Sequence, residues 1–336
     1  MKDKITIYDI AKKLNITAAT VSRALNNNPK ISESTRKKVL AMADEMHYEQ
    51  NKLALALKSG KSNTVGVVVP FIDRNFFSSI IRGIEEELYP KGYHVIICQS
   101  QEDEQKELKN FNALLNAQID GLMVSVSKNT KNFDHFDHVL KKKVPVIFFD
   151  RKVDMKGVST VTLDDYKAGY EATKHLIVNG AKRIAHLSGD WALDIYQRRM
   201  AGYKQALVDH NIDCPEGYVV KGQSDIGAGK KAVKKLMKLD PLPDAIFSAS
   251  DFAALGAIQQ LKEMGMRVPE DVKVVGFSNE PFTKFMEVPI TTVDQSPMEM
   301  GMMAAKVFLE QVKNTSVPIE KNVVIAPKLK IRKSSL

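Results

Sequence analysis

Residues 6–26 constrain this chain more than any other stretch, because they spell out two short helices and the turn that joins them. Thr6 precedes an apolar-periodic run and Asp9 follows three residues later, the Ser/Thr-x-x-Asp/Glu pattern of a capped helix start. Ile7, Ile10, Ala11 and Leu14 then repeat at helical spacing and define one buried face. Asn15 suits the left-handed conformation that stops a helix. Thr17 offers its hydroxyl to the free amides of the next one. In that second helix Val21 and Leu25 point inward, leaving Ala18, Ala19, Ser22, Arg23 and Asn26 outside. Small residues at its start allow close approach to base edges and thymine methyls. Arg23 reaches a guanine or a phosphate, and Asn26 a phosphate. A third helix is predicted from Glu33 to about His47, capped by Ser32, with Val39, Leu40, Ala43 and Met46 closing a three-helix core. Arg36, Lys37 and Lys38 on its first turns are either solvated or on phosphate, and at least one is expected on phosphate. Pattern alone leaves any small amphipathic helical hairpin as the alternative.

Charge favours the first reading. Residues 1–61 hold 12 Lys+Arg against 6 Asp+Glu, whereas the remaining 275 residues hold 37 against 34. A basic head on a near-neutral body fits nucleic-acid binding by the head alone. The N-terminus is polar and no apolar run approaches the length of a membrane span, so neither an export signal nor a membrane partner is expected. Cys98 and Cys214 lie far apart, and reduced thiols in a cytoplasmic protein are the expectation.

Tyr8-Asp9-Ile10-Ala11, Thr20-Val21-Ser22-Arg23-Ala24-Leu25-Asn26 and Ser32-x-x-Thr35-Arg36-x-x-Val39 together resemble the LacI/GalR family of bacterial repressors. The resemblance implies that the second helix reads the major groove, with Ala18, Ala19 and Arg23 on bases. It also implies that Asn51–Leu57, too short to be a stable helix alone, is a hinge helix that folds on operator DNA. Leu57 then stands where a paired leucine enters the minor groove, with Asn51 and Ala54 beside it; core packing is the alternative for Leu57. The chain departs from the family at Gln50, where a proline is usual, and at Ala54-Leu55-Ala56, which lacks an arginine. The expected DNA-binding set is Thr6, Tyr8, Thr17, Ala18, Ala19, Thr20, Ser22, Arg23, Asn26, Asn51, Ala54 and Leu57.

From Thr64 onward, short apolar runs alternate with helical stretches, the pattern of parallel sheets covered by helices on both faces. The strands number too many for one sheet, so two subdomains are expected, with a break near Leu163, a return near Thr292 and a last crossing by a strand-like segment, Asn322–Ile331. Asp120-Gly121-Leu122, Asp164-Asp165-x3-Gly169, Arg199-x2-Gly202-Tyr203, Asp251-x4-Gly256, Val268-Pro269-x-Asp271-Val272 and Gly276-Phe277 resemble the periplasmic-binding-protein-like core of the same family. The expected fold class is therefore α/β: an all-α helix-turn-helix domain (1–49), a hinge and linker (50–61), and a core (62–336). The core's first subdomain covers about 62–162 and 293–321, and its second about 163–292 and 322–332.

Ligands of parallel α/β folds bind beyond the carboxyl ends of strands, which selects the effector candidates. Phe76 and Phe77 stack on a ring face or pack in the core. Ser127, Asp150 and Arg151 follow the third and fourth strands, and Asp164 ends the strand at the crossover. The resemblance places a ligand-clamping arginine at Arg199, whose alternative is a structural ion pair. Trp191 stacks on a sugar or packs. Ser250, Asp251 and Ser278 complete the set, and Ser278 stands where the family often has an acid.

Signs of catalysis are weak. Gly60-Lys61-Ser62 imitates a phosphate-binding loop but has Leu55 where its first glycine should be. Ser224 lacks the glycines of a nucleophile elbow. His135 and His138 are spaced for a metal without a clear third ligand. No enzyme activity, cofactor or metal is expected. The expectation is a homodimeric repressor of catabolic genes on a palindromic operator, with a sugar or sugar derivative in the cleft. A purine co-repressor, a protein partner and a free solute-binding protein are the alternatives.

Overall fold

The computed structural model describes residues 5–48, 61–313 and 320–336. The chain divides into two units, Met1–Ser62 and Asn63–Leu336. In the first, helix α1 (Ile7–Leu14) starts where the Thr6 amide and hydroxyl both donate to Asp9 Oδ2, at 2.8 and 2.7 Å. It stops at Asn15, whose φ of 51° lies in the left-handed region. Helix α2 (Ala18–Leu25) is capped by Thr17 Oγ1, which accepts from the Thr20 amide at 3.1 Å. Helix α3 (Glu33–Glu45) is capped likewise by Ser32. Ile10, Ala11, Val21, Ala24, Val39 and Ala43 form the buried core. Leu40, expected inside, is 49% exposed. Ala24 takes the inward place beside Val21, and Leu25 is only half-buried.

The second unit holds two six-stranded sheets. The first is built from β1 (Thr64–Val69), β2 (His94–Gln99), β3 (Gly121–Val124), β4 (Val146–Phe149), β5 (Ser159–Leu163) and β11 (Asn322–Ile325), in the order β11-β5-β4-β3-β1-β2. The second is built from β6 (Ile184–Gly189), β7 (Val219–Lys221), β8 (Ala245–Ser248), β9 (Lys273–Phe277), β10 (Thr291–Asp294) and β12 (Lys328–Lys330), in the order β12-β10-β9-β8-β6-β7. All pairs are parallel except β10 with β12. The apolar runs at the centres of the sheets are fully buried, as expected when helices cover both faces. Those helices include α4 (Asn75–Leu88), α5 (Glu104–Asn116) and α6 (Asp134–Lys141) in the first lobe. The second has α7 (Asp165–Val178), α8 (Asp194–Asp209), α9 (Ile226–Leu236) and α10 (Asp251–Glu263), and α11 (Pro297–Lys313) returns to pack on α4.

β5, which ends at Leu163, belongs to the first sheet and β6 to the second. The return near Thr292 and the last crossing need correction. β10 belongs wholly to the second sheet, so the chain returns only after Asp294. Asn322–Ile331 is not one strand of the second lobe: Asn322–Ile325 pairs with β5 in the first sheet, and only Lys328–Lys330 joins the second. Ala326 and Pro327 lie between, and a proline has no amide to continue a ladder. The short strand β7 and the helix α11 went unread in the sequence.

One close approach positions the site. A Cβ added to Gly169 of α7 would lie 2.1 Å from the Arg199 carbonyl oxygen, and one on Gly202 of α8 would lie 2.0 Å from the Tyr166 oxygen. Only glycine lets these two helices touch backbone to backbone, which seats Arg199 at the mouth of the second sheet.

Candidate DNA-reading face and ligand cleft

In the helical head, α2 leaves Ala19 and Arg23 exposed and Ser22 and Thr20 partly so, while Ala18 packs against the core. Tyr8 on α1 is 72% exposed. Asn26 directs its Nδ2 to the Ser22 carbonyl at 2.7 Å. Arg36, a candidate for phosphate, instead donates to the Asn28 and Ile31 carbonyls and so ties the α2–α3 loop. Lys37 pairs with Glu33 at 3.2 Å on an exposed face. Asn51, Ala54 and Leu57 lie outside the described residues.

In the body, a cavity of about 290 Å³ collects residues that follow strand ends of both sheets. The first lobe supplies Phe71, Arg74, Phe76, Phe77, Glu102, Lys128, Asp150 and Arg151; the second supplies Asp190, Tyr196, Arg199, Gln223, Ser224, Ser250, Phe252, Ser278, Glu280 and Gln295, among others. Phe76 and Phe77 meet edge to face at 5.1 Å, and both line the cavity while remaining buried. A wider cavity of about 630 Å³ adjoins it and shares Lys128, Asp150 and Arg151. That space is walled by the 152–158 loop, β5 and β11 on one side and by Ala192–Ile195 and Arg198 on the other; the smaller one, where residues beyond the strand ends of both sheets gather, is the candidate ligand site.

The charged residues of the smaller cavity are mostly engaged with one another. Arg151 Nη1 donates to Glu102 Oε1 at 2.7 Å. Asp150, held at a positive φ of 60°, accepts from Ser125 Oγ at 3.1 Å. Burial pushes its carboxyl above the usual range, while Arg151 and Arg199 pull it back. Arg199 is 3% exposed. It donates to Asp165 Oδ1 (2.7 Å), the Ala249 carbonyl (3.2 Å) and Gln295 Oε1 (3.4 Å), with its guanidinium 3.6 Å over the Phe277 ring. Burial raises Asp165 to about 6 despite this partner. Arg199 therefore makes the structural ion pair that was the alternative for it, and it also lines the cavity. Lys128 crosses from the first lobe to Asp190 (3.8 Å) and Gln223 (3.3 Å) of the second.

Four candidates stand outside this lining. Asp164 caps α7 by accepting from the Lys167 amide at 3.0 Å. Trp191 turns its Nε1 to Ser188 Oγ at 2.6 Å, with Lys221 over its ring. Ser127 is buried, its amide on Glu107 Oε2, and it borders the wider cavity. Asp251 is fully buried and accepts from Thr292 Oγ1 (2.7 Å) and the Glu280 amide (2.8 Å). Burial pushes its carboxyl up to about 7. Its role is to hold the Ser278–Glu280 loop, in which Ser278 and Asn279 both have positive φ. Arg332 braces that loop from the other side through Asn279 Oδ1 at 2.7 Å. Ser278 itself lines the cavity and accepts from Gln295 Nε2 at 3.0 Å. Arg74, Glu102, Lys128, Tyr196, Phe252 and Glu280 were missed by the sequence reading. Glu280 sits two residues past Ser278, and Arg74 just before Phe76. His135, spaced with His138 for a metal, is engaged by Glu107 Oε1 at 3.2 Å. No described helix is long and apolar enough to cross a membrane.

Residues 6–51 match the family model for bacterial regulatory proteins of the lacI family. Residues 62–333 match the model for periplasmic binding proteins and the sugar binding domain of the LacI family. Catabolite control protein A of Priestia megaterium is 33% identical over 314 residues, 93% of this chain and 94% of that protein. The HTH-type transcriptional repressor CytR of Escherichia coli (strain K12) is 34% identical over 312 residues, 93% and 91% of the two chains. Among solved structures, the transcriptional regulator CelR–cellobiose complex superposes with a TM-score of 0.74 at 26% identity, over 98% of this chain and 100% of that one. The fold also matches a lac repressor dimer bound to operator, with a TM-score of 0.88 at 23% identity, over 99% and 100% of the two chains. With a helix-turn-helix head, a two-lobed body and both family models satisfied, the chain belongs to the LacI family of bacterial transcriptional regulators and is not an enzyme.

Proposed function

We propose that this regulator is a repressor that binds a palindromic operator as a homodimer and responds to a carbohydrate held in the cleft between its lobes. The observation that carries the reading is the composition of the 290 Å³ cavity: the aromatic side chains Phe76, Phe77, Tyr196 and Phe252 line it together with hydrogen-bonding side chains from both lobes. Sugars present apolar ring faces and a rim of hydroxyls, and such walls suit both. CelR, similar over nearly the whole chain, carries cellobiose. Most of the charged residues are engaged with one another, which suits an uncharged ligand. For dimerisation, β2 is a sheet edge with Ile96 and Ile97 exposed at 38% and 48%. A bare apolar edge is a template for pairing unless another chain covers it.

A ligand that spans the lobes binds one closure state better than another, and it shifts DNA affinity by that difference and no more. Leu57 and its hinge segment are proposed to connect the two events by entering the minor groove, where an apolar wedge kinks the duplex. The place of action is then the cytoplasm, with the chromosome. The test is a random-duplex selection with the full chain, repeated with and without a saccharide panel. Enrichment of one palindromic sequence, with affinity changed by one saccharide, is the expected result. Binding without sequence preference under every condition would refute the reading.

A further inference from the structure

The acids that line the cavity differ in one respect. Glu102 is taken by Arg151 and by the Lys128 amide at 2.8 Å. Asp150 has Ser125, Asp190 has the Ala192 amide at 3.1 Å, and Asp225 has the Ala228 amide at 2.8 Å. Glu280 has nothing on its carboxylate: among the described residues no hydrogen bond or ion pair reaches it. Yet the residue is only 6% exposed. Its backbone is fixed on both sides, the amide on Asp251 and the carbonyl accepting from the Thr283 amide (3.0 Å) and hydroxyl (2.6 Å). A residue so enclosed, whose carboxylate is without a partner and still accessible, offers its bonding capacity to the cavity it lines.

Arg74 comes to the same cavity from the opposite lobe. It stands at the start of α4 and reaches across the cleft to lie 4.5 Å over the ring of Phe252, which itself packs on Phe282. Burial holds the Glu280 carboxyl above its usual range and the charge of Arg74 pulls it back, and the two line one cavity without forming an ion pair. A five-donor guanidinium and an acceptor-only carboxylate therefore face the same space from two lobes. A sugar hydroxyl donates and accepts at once, so neighbouring hydroxyls satisfy both groups together. A cation there would meet Arg74, and an anion would meet Glu280.

We propose that Glu280 and Arg74 form a subsite that recognises neighbouring hydroxyls of a neutral sugar, and that Glu280 excludes phosphorylated and carboxylated sugars from that end of the cleft. This rests on the carbohydrate reading above and adds its charge specificity. It also makes closure ligand-dependent, because the two groups belong to different lobes and a bridging sugar joins them.

The test is calorimetry on the full chain with ribose, glucose and cellobiose, against ribose 5-phosphate, glucose 6-phosphate and glucuronate. The wild type is expected to bind a neutral member about tenfold or more tighter than its charged counterpart. Glu280→Gln, which keeps the backbone contacts and the volume, should weaken the neutral sugar about tenfold and bring the two classes within about threefold, the scale of losing one charged hydrogen bond. Arg74→Gln should weaken the neutral sugar without admitting the charged ones. Thermal unfolding confirms that each variant is folded. Unchanged discrimination in Glu280→Gln, or a wild type that prefers the charged sugar, overturns the subsite and leaves the carbohydrate reading standing. If no sugar of either class binds the wild type, the carbohydrate reading fails and takes the subsite with it.

Discussion

Replacing Gly169 by alanine probes the contact on which the placement of Arg199 depends. The new Cβ would lie 2.1 Å from the Arg199 oxygen, 2.8 Å from its carbonyl carbon and 2.9 Å from its Cα. These are backbone atoms, so no rotamer change relieves the clash, and α8 has to recede from α7 by about 1 Å to restore ordinary contact. Such a shift stretches the 2.7 Å bond from Arg199 Nε to Asp165 Oδ1, whose donor and acceptor lie one on each helix. Overpacking of this kind costs about 3 kcal/mol. Alanine's better helix propensity returns about 1 kcal/mol, which leaves a net destabilisation of about 2 kcal/mol. Urea unfolding followed through Trp191, the only tryptophan and a neighbour of the start of α8, reads it directly. The midpoint should fall with the slope unchanged, and the affinity for any cleft ligand should fall with it. A variant as stable as the wild type, or more so, would show that the helices do not touch at this point.

Other outcomes are equally specific. Arg23→Ala should cost about 1–3 kcal/mol on the selected operator if the side chain reads a guanine with two bonds, whereas an equal loss on random DNA in a filter-binding titration would mark a phosphate contact. His186 is fully buried between Tyr203 and Phe247, and burial lowers its pKa to about 4. Its contribution to stability is complete above the unfolded value of 6.5 and disappears as pH falls to about 4, a loss of about 3 kcal/mol. His186→Phe should flatten that part of a pH–stability curve, and an unchanged acid limb would refute the assignment. Asp251 has the opposite sign: its pKa is raised from 3.8 to about 7, so the fold binds the extra proton and stability falls as pH rises through that window. Asp251→Asn should remove up to about 1.4 kcal/mol per pH unit of that fall. Because the two effects overlap and oppose one another between pH 4 and 6.5, each is read as a difference between variant and wild type. A pH-independent difference for Asp251→Asn would refute the claim.

The head was legible because its signals are local. Thr6 with Asp9, Asn15, Thr17 with Thr20, and Ser32 with Thr35 each act within four residues, so the helices and their ends follow from the sequence alone. The buried strands were legible for the same reason. Pro327 could have warned that Asn322–Ile331 is two strands, but which sheet each joins depends on which edges are free, and that is not local.

The site divides along the same line. Sequence pointed to residues beyond the strand ends, such as Phe76, Asp150 and Ser278, as neighbours at one cleft, since parallel strands carry their carboxyl ends to a common side, whereas Arg199 was placed there by the family resemblance. It could not determine what each one touches there. Arg151 meets Glu102 across 49 positions and Arg199 meets Gln295 across 96. Asp251 is turned inward by Thr292 and by the backbone of Glu280. Only the tertiary structure decided that Asp251 serves the loop, that Trp191 serves its own turn, and that Glu280 alone among the acids lining the cavity was left unengaged. Charge and hydrogen-bond complementarity depend on distance in space, and short-range sequence patterns carry no information about it.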